Sequence, residues 1–150
     1  MSNIFDWATM PTATKTNRIR VLLADDNARM LETVVNLLEP EYEIVATVAD
    51  GASLIEAAVQ VDPDIGIIDI TMPILNGIDA VRLLKEQGSS MRVIFLTVNE
   101  DVDFLDAGFA AGAFGYVVKS HMAKDLLNAL EAVIAGKKFV SSCCDYRVRS

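Results

Sequence analysis

The sequence predicts a doubly wound α/β domain, with five parallel strands and five helices that cover both faces of the sheet. Five short runs rich in β-branched residues alternate with five longer amphipathic stretches along the chain. Strands that alternate with helices in this way form parallel sheets, because each helix returns the chain to the start of the next strand. The third run, IGIIDI, lacks the polar-apolar alternation of a half-exposed strand, which indicates burial on both faces. A chain of 150 residues is long enough for one such domain.

The predicted elements follow one another closely. Each helix is recognised by apolar residues that recur every three to four positions, and each strand by a short β-branched run. Asp50-Gly51 marks a turn, and Gly88 and Gly136 mark helix ends. In chain order the elements are IRVLLA, ARMLETVVNLLE, EIVATV, ASLIEAAVQV, IGIIDI, GIDAVRLLKEQG, RVIFLTV, DVDFLDAGFAAG, AFGYVVK and AKDLLNALEAVIAG.

The two ends of the chain fall outside this pattern. Residues 1–17 are rich in Thr, Ser and Asn, and we expect a flexible N-terminal extension there. Residues 18–138 form the predicted domain, and residues 139–150 are predicted to be a C-terminal tail or linker stub. Cys143 and Cys144 are neighbours, and adjacent cysteines bridge each other only with strain.

Composition limits the function classes. The chain is 52% hydrophobic and 23% charged, which is typical of a globular protein. A net charge of −8 argues against direct binding of nucleic acid or of an anionic membrane. No apolar stretch reaches the roughly 18 residues that span a bilayer, and the N-terminus does not read as a signal peptide. We therefore expect a cytoplasmic protein that binds cations or basic partners.

Acidic residues follow two of the predicted strands. Asp25 and Asp26 come after the first strand, and Asp69 ends the third. Ligands of open α/β sheets bind beyond the carboxyl ends of strands, so these carboxylates are expected at one edge. Carboxylates that converge raise one another's pKa, and a hard divalent cation such as Mg²⁺ relieves the conflict.

Two further polar side chains end the fourth and fifth strands. Thr97 brings a hydroxyl and Lys119 an ammonium to the same edge. With Mg²⁺, these groups suit a phosphoryl site, in which Asp69 is the nucleophile that forms an acyl phosphate.

In this combination of residues, the sequence resembles the receiver domain of two-component response regulators. The matching features are Asp25-Asp26, Asp69 with the following TMPILNG, Thr97, Tyr116 and Lys119, over roughly residues 19–140. The stretches AAGAFGYVVKS and AVIAGKKFVS further resemble the NarL/FixJ-type subfamily. The resemblance implies a flavodoxin-like fold with strand order 2-1-3-4-5.

The resemblance also implies a role for each site residue. Asp69 would accept a phosphoryl group from a sensor histidine kinase or a phosphotransfer protein. Asp26 would bind Mg²⁺ directly, Asp25 through water, and the backbone carbonyl of Thr71 would supply a further ligand. Lys119 would pair with the phosphoryl group. The chain would then be no enzyme for a separate substrate, catalysing only its own phosphorylation and slow self-dephosphorylation.

Switching is expected to follow from the same resemblance. Thr97 would move to bond the phosphoryl group, and Tyr116 would turn inward. The face made of the fourth helix, the fifth strand and the fifth helix would then change, which could control a homodimer or partner binding. Val98 and Asn99 are expected to tune hydrolysis, and Val98, larger than the usual Ala or Gly, predicts slow loss of the phosphoryl group.

Alternatives from other classes fit less well. A haloacid-dehalogenase-type phosphatase would need a second Asp where Thr71 stands. A flavin binder would need a phosphate-cradling loop where the chain has ADDN, whose charge repels phosphate. A degenerate receiver would have lost an acid, the threonine or the lysine. For the output, two readings stay open: the receiver part of a DNA-binding regulator, or a stand-alone regulator or phosphate shuttle that acts through protein contacts.

Overall fold

Six parallel strands form one sheet in the computed structural model, which describes residues 18–141. The sheet order is β2-β1-β3-β4-β5-β6, so the predicted order of the first five strands is confirmed. The strands are β1 (Arg20–Ala24), β2 (Glu43–Val48), β3 (Ile65–Ile68), β4 (Arg92–Thr97), β5 (Gly115–Val118) and β6 (Phe139–Val140).

Five α-helices connect the strands, as predicted. Four of them begin at an Asn or Asp whose side chain accepts a hydrogen bond from a backbone N–H of the first turn. These bonds stabilise the helix, because an N–H in the first turn has no carbonyl partner within it. A 3₁₀ turn at Lys119–His121 precedes the fifth helix. The helices are α1 (Ala28–Leu38), α2 (Gly51–Val61), α3 (Gly77–Glu86), α4 (Val102–Ala110) and α5 (Met122–Ile134).

The sixth strand corrects the predicted five-stranded sheet and the tail predicted from residue 139. Phe139 and Val140 pair with β5, opposite Gly115 and Tyr116. The pattern missed this strand because two residues are too few to show a period of two. The predictions for residues 1–17 and 142–150 lie outside the described residues.

The core lies on both faces of the sheet. Because side chains alternate along a strand, Leu22 of β1 packs among α2, α3 and α4, while Val21 and Leu23 pack among α1 and α5. Helices thus cover both faces, and in open α/β sheets of this kind ligands bind beyond the carboxyl ends of the strands. Within residues 18–141, no helix is both long and apolar enough to cross a bilayer.

Candidate functional site

Three carboxylates meet at the carboxyl edge of the sheet. Asp25 follows β1 and Asp69 follows β3, and these two strands are neighbours. Each of Asp25, Asp26 and Asp69 offers an oxygen, and these oxygens all lie within 4.8 Å of one another. Asp25 and Asp69 are 4% and 6% exposed, whereas Asp26 is open to solvent. Buried acids this close need a positive partner.

Lys119 supplies that partner. Its Nζ lies 2.7 Å from Oδ2 of Asp25 and 3.4 Å from Oδ2 of Asp69. Lys119 follows β5, so its side chain reaches past β4 to acids that follow β1 and β3. Burial lowers the pKa of Lys119, but the hydrogen bond to Asp25 and the charges of Asp69 and Asp25 outweigh burial and raise it above its usual value. The lysine is therefore a permanent cation in the site.

Asp69 is the carboxyl group whose protonation the site alters most clearly. Burial and then the charge of Asp25 raise its pKa from 3.8 to about 6, although Lys119 and the N–H of Thr71 pull it down. One lysine therefore does not fully offset the acids. Three carboxylates around one point are the hard oxygen ligands that Mg²⁺ prefers, so the residues present fit this ion.

The backbone after β3 holds Asp69 in place. Its Oδ1 accepts a long hydrogen bond of 3.3 Å from the N–H of Thr71, an exposed residue whose carbonyl stays a predicted ligand. Gly77, the first residue of α3, lies against the carbonyl oxygen of Asp69 so closely that any Cβ there would overlap it. The glycine at the end of TMPILNG thus lets the loop fold back onto the acid.

The two predicted switch residues are joined through Asn99. The backbone N–H of Asn99 donates to Oγ1 of Thr97 at 3.2 Å, and the hydroxyl of Tyr116 donates to the Asn99 carbonyl at 2.8 Å. Thr97 and Tyr116 are each 1% exposed, so the tyrosine ring already lies inside the protein. Val98 is 75% exposed and projects into solvent rather than into the buried site.

The family model of the response regulator receiver domain matches residues 21–131. The chain belongs to the response regulator receiver domain family. This receiver domain is 36% identical over 134 residues to the nitrate/nitrite response regulator protein NarP of Escherichia coli, covering 88% of this chain and 61% of NarP. It is 32% identical over 126 residues to the transcriptional regulatory protein DegU of Brevibacillus brevis, covering 83% of this chain and 53% of DegU.

A solved structure shows the same fold. The receiver superimposes on a two-component response regulator of the LuxR family from Aurantimonas sp. SI85-9A1 with a TM-score of 0.81 and 32% identity. The match covers 85% of this chain and 92% of that one. By contrast, the chain spans only 53% to 61% of the length of the two curated relatives.

Sequence reasoning missed two contacts of this receiver. Asn99 was expected only to tune hydrolysis, yet its backbone joins the hydroxyls of Thr97 and Tyr116. Ser141 was placed in the tail, yet it is 1% exposed and bonds to β5. Backbone contacts leave no residue-type signal. Phe139 and Val140 are an aromatic and a β-branched residue, which strands favour, but two residues are too few to identify β6 by a pattern.

Proposed function

We propose that this receiver accepts a phosphoryl group on Asp69, with Mg²⁺ held by Asp25, Asp26, Asp69 and the backbone carbonyl of Thr71. The convergence of the three acids with Lys119 at one strand edge carries the proposal. When bound, Mg²⁺ offsets the negative charge of the carboxylates and of the phosphoryl oxygens.

The transfer itself needs few groups. A carboxylate oxygen of Asp69 forms a bond to phosphorus while the bond from phosphorus to the donor's leaving atom breaks, and that atom keeps the electron pair. Lys119 stands within reach of Asp69 and supplies fixed positive charge where the phosphoryl oxygens arrive. The donor is a sensor histidine kinase or a phosphotransfer protein. The receiver acts only on itself, by taking up the group and slowly losing it to water.

The switch follows from the contacts of Asn99. When the hydroxyl of Thr97 turns to a phosphoryl oxygen, it gives up its bond to the Asn99 N–H. The Asn99 loop can then move, while its carbonyl keeps the hydrogen bond from the hydroxyl of the inward Tyr116. The inward position of Tyr116 is the one that the structure has, so phosphorylation would act by favouring it over an outward one. The face of α4, β5 and α5 then changes toward a homodimer or another partner. Since β6 pairs with β5, that face includes β6.

The output is proposed from the relatives. NarP and DegU are named as a response regulator and a transcriptional regulatory protein, and both are longer than this chain. We infer that this cytoplasmic receiver is the regulatory part of a transcription regulator and does not itself touch nucleic acid or membrane. A stand-alone regulator or phosphate shuttle is the second candidate, because the charge of −8 also suits a module that works through protein contacts.

Intact-protein mass spectrometry tests the chemistry. The protein is incubated with acetyl phosphate and Mg²⁺, and we expect the mass of one added phosphoryl group. Asp69→Asn should abolish the gain, and Asp106→Asn, at an exposed acid of α4, should leave it unchanged. A gain that survives Asp69→Asn would overturn the assignment. Size measurement with and without beryllofluoride, a phosphoryl mimic, tests for the dimer.

A further inference from the structure

A buried serine outside the family match touches the strand that leads to Lys119. Ser141 directly follows β6 and is 1% exposed, while the family model ends at residue 131. We propose that Ser141 is a positioning residue for Lys119, holding the end of β5 so that the lysine reaches the acids. The proposal rests on the proposed phosphorylation of Asp69.

Ser141 makes two hydrogen bonds to β5. Its backbone N–H donates to the carbonyl of Tyr116 at 2.9 Å, and its Oγ accepts from the N–H of Val118 at 3.0 Å. Ser141 therefore bonds to β5 on both sides of Val117, and it fixes the last two peptide units of the strand. One of these units belongs to the switch tyrosine, and the other comes immediately before Lys119.

The hydroxyl of Ser141 accepts a hydrogen bond that a backbone carbonyl normally accepts in a parallel sheet. In a parallel ladder, the next N–H of β5 would pair with a main-chain carbonyl of the neighbouring strand. Here the side chain of Ser141 accepts that N–H instead, and β6 ends. Alanine at this position would leave the Val118 N–H without its acceptor in a buried place, which is costlier than a hydrogen bond lost to water.

Lys119 depends on the direction in which the chain leaves β5. The chain turns at once into the 3₁₀ turn Lys119–His121, while the Lys119 side chain reaches past β4 to Asp25 and Asp69. Its side chain is only 11% exposed, so little free space lets it adjust. A shift in the Val118 peptide would therefore move Nζ from its 2.7 Å contact with Asp25.

The residues that lead to Ser141 make contacts of their own, which hold β6 in place. The N–H of Phe139 donates to the carbonyl of Phe114 at 3.0 Å, and Lys138 Nζ lies 5.6 Å above the ring of Phe109 in α4. These contacts fix the position from which the chain reaches Ser141 and β5. Ser141 is thus tied to the peptide units of Tyr116 and Val118.

The test compares Ser141→Ala with Ser141→Thr, which keeps the hydroxyl, and with Ser90→Ala, an exposed serine before β4. Three quantities are measured on the full chain: the phosphorylation rate with acetyl phosphate, the Mg²⁺ affinity and the melting temperature. For Ser141→Ala we expect a rate lower by roughly fivefold, the loss of about one hydrogen bond's worth of positioning. Ser141→Thr should keep at least half of the rate, and Ser90→Ala all of it.

Mg²⁺ affinity separates positioning from general damage. The proposed ligands follow β1 and β3, not β5, so Ser141→Ala should not weaken Mg²⁺ binding. An Ala variant that melts lower but is phosphorylated at the full rate would show that Ser141 only supports the fold, and would overturn the proposal. So would a Thr variant as slow as the Ala variant. If the unaltered chain takes no phosphoryl group, the proposed function fails instead.

The unaltered chain gives a second test in case the Ala variant does not fold. Beryllofluoride with Mg²⁺ should shift the backbone amide signals of Val118 and Ser141 together with that of Lys119 in NMR spectra. A shift at Lys119 with Ser141 unmoved would contradict the coupling.

Discussion

Both edges of the sheet carry charged side chains, but they bury them to different degrees. At the amino edge, Arg20 donates to the carbonyls of Val61 and Asp62, its backbone N–H donates to Asp64, and both acids are exposed. Each charge there has solvent or a hydrogen-bond partner. This is the arrangement expected where charge serves only the fold.

The carboxyl edge differs, because polar and charged side chains are buried there. The buried polar and charged residues of the described chain all lie after a strand, at a strand end or in the first turn of α5, and they are Asp25, Asp69, Thr97, Asp125 and Ser141. Asp125 Oδ2, in the first turn of α5, has no hydrogen-bond partner within residues 18–141. Charged groups that are buried together are typical of functional sites, so this difference between the edges supports the proposed function at the carboxyl edge.

The largest difference between the two edges should appear in the rate of phosphorylation when Lys119 is removed. Lys119→Met takes away the cation 3.4 Å from Asp69, and we expect phosphorylation by acetyl phosphate to slow by about 100-fold. Arg92→Gln, at the start of β4 on the amino edge, is the matched control and should keep the rate. Equal losses in the two variants would mean that the edges do not differ in function.

The second largest difference between the two edges should appear in how the free energy of unfolding depends on pH. The folded-state pKa of Asp69 is raised from 3.8 to about 6, so the folded protein binds the proton more tightly than the unfolded chain does. Its contribution to the free energy of unfolding is fully present below about pH 4 and is lost as the pH rises through 6. After allowance for solvent screening, the loss is about 1–2 kcal/mol.

Urea unfolding at pH 4 and pH 7 without Mg²⁺ measures this loss. In Asp69→Asn the difference between the two pH values should shrink, while Asp64→Asn, on the amino edge, should behave like the unaltered protein. An unchanged pH difference in Asp69→Asn would contradict the buried-acid account.

A smaller effect is expected in α4. The sequence of α4 is rich in Ala and Gly, so Gly108 has two possible interpretations: a weak point in the helix, or a tight packing contact. A Cβ on Gly108 would lie 3.0 Å from the ring of Phe95, which favours the packing reading. Gly108→Ala should therefore lower the free energy of unfolding by about 1 kcal/mol, even though alanine favours helix. Stabilisation by Gly108→Ala would support the weak-helix reading.

The smallest effect concerns Val98. We expect the phosphorylated receiver to lose its group slowly, and Val98→Ala to speed the loss by about twofold to threefold. The effect should be modest because the side chain is 75% exposed and shields little. The decay of the phosphorylated mass with time measures it, and an unchanged decay in Val98→Ala would remove the role of this residue.

The sequence predicted the parts of this molecule that residue type controls. Apolar runs that stop at Asp25 and Asp69 indicated both the strands and the edge where the acids meet, and TMPILNG ended at the glycine that folds the loop back. It could not predict contacts made by backbone atoms, such as those of Asn99, since every residue has them. Nor could it predict β6, because a two-residue strand shows no periodicity and is held by its partner strand.

The central claim is that the acid that follows β3 is the chemical acceptor. Reductive trapping of the acyl phosphate, followed by peptide sequencing, identifies the modified residue directly. The account predicts modification at Asp69 alone, and only when Mg²⁺ is present. Modification at another acid, or at Asp69 to the same extent without Mg²⁺, would contradict it.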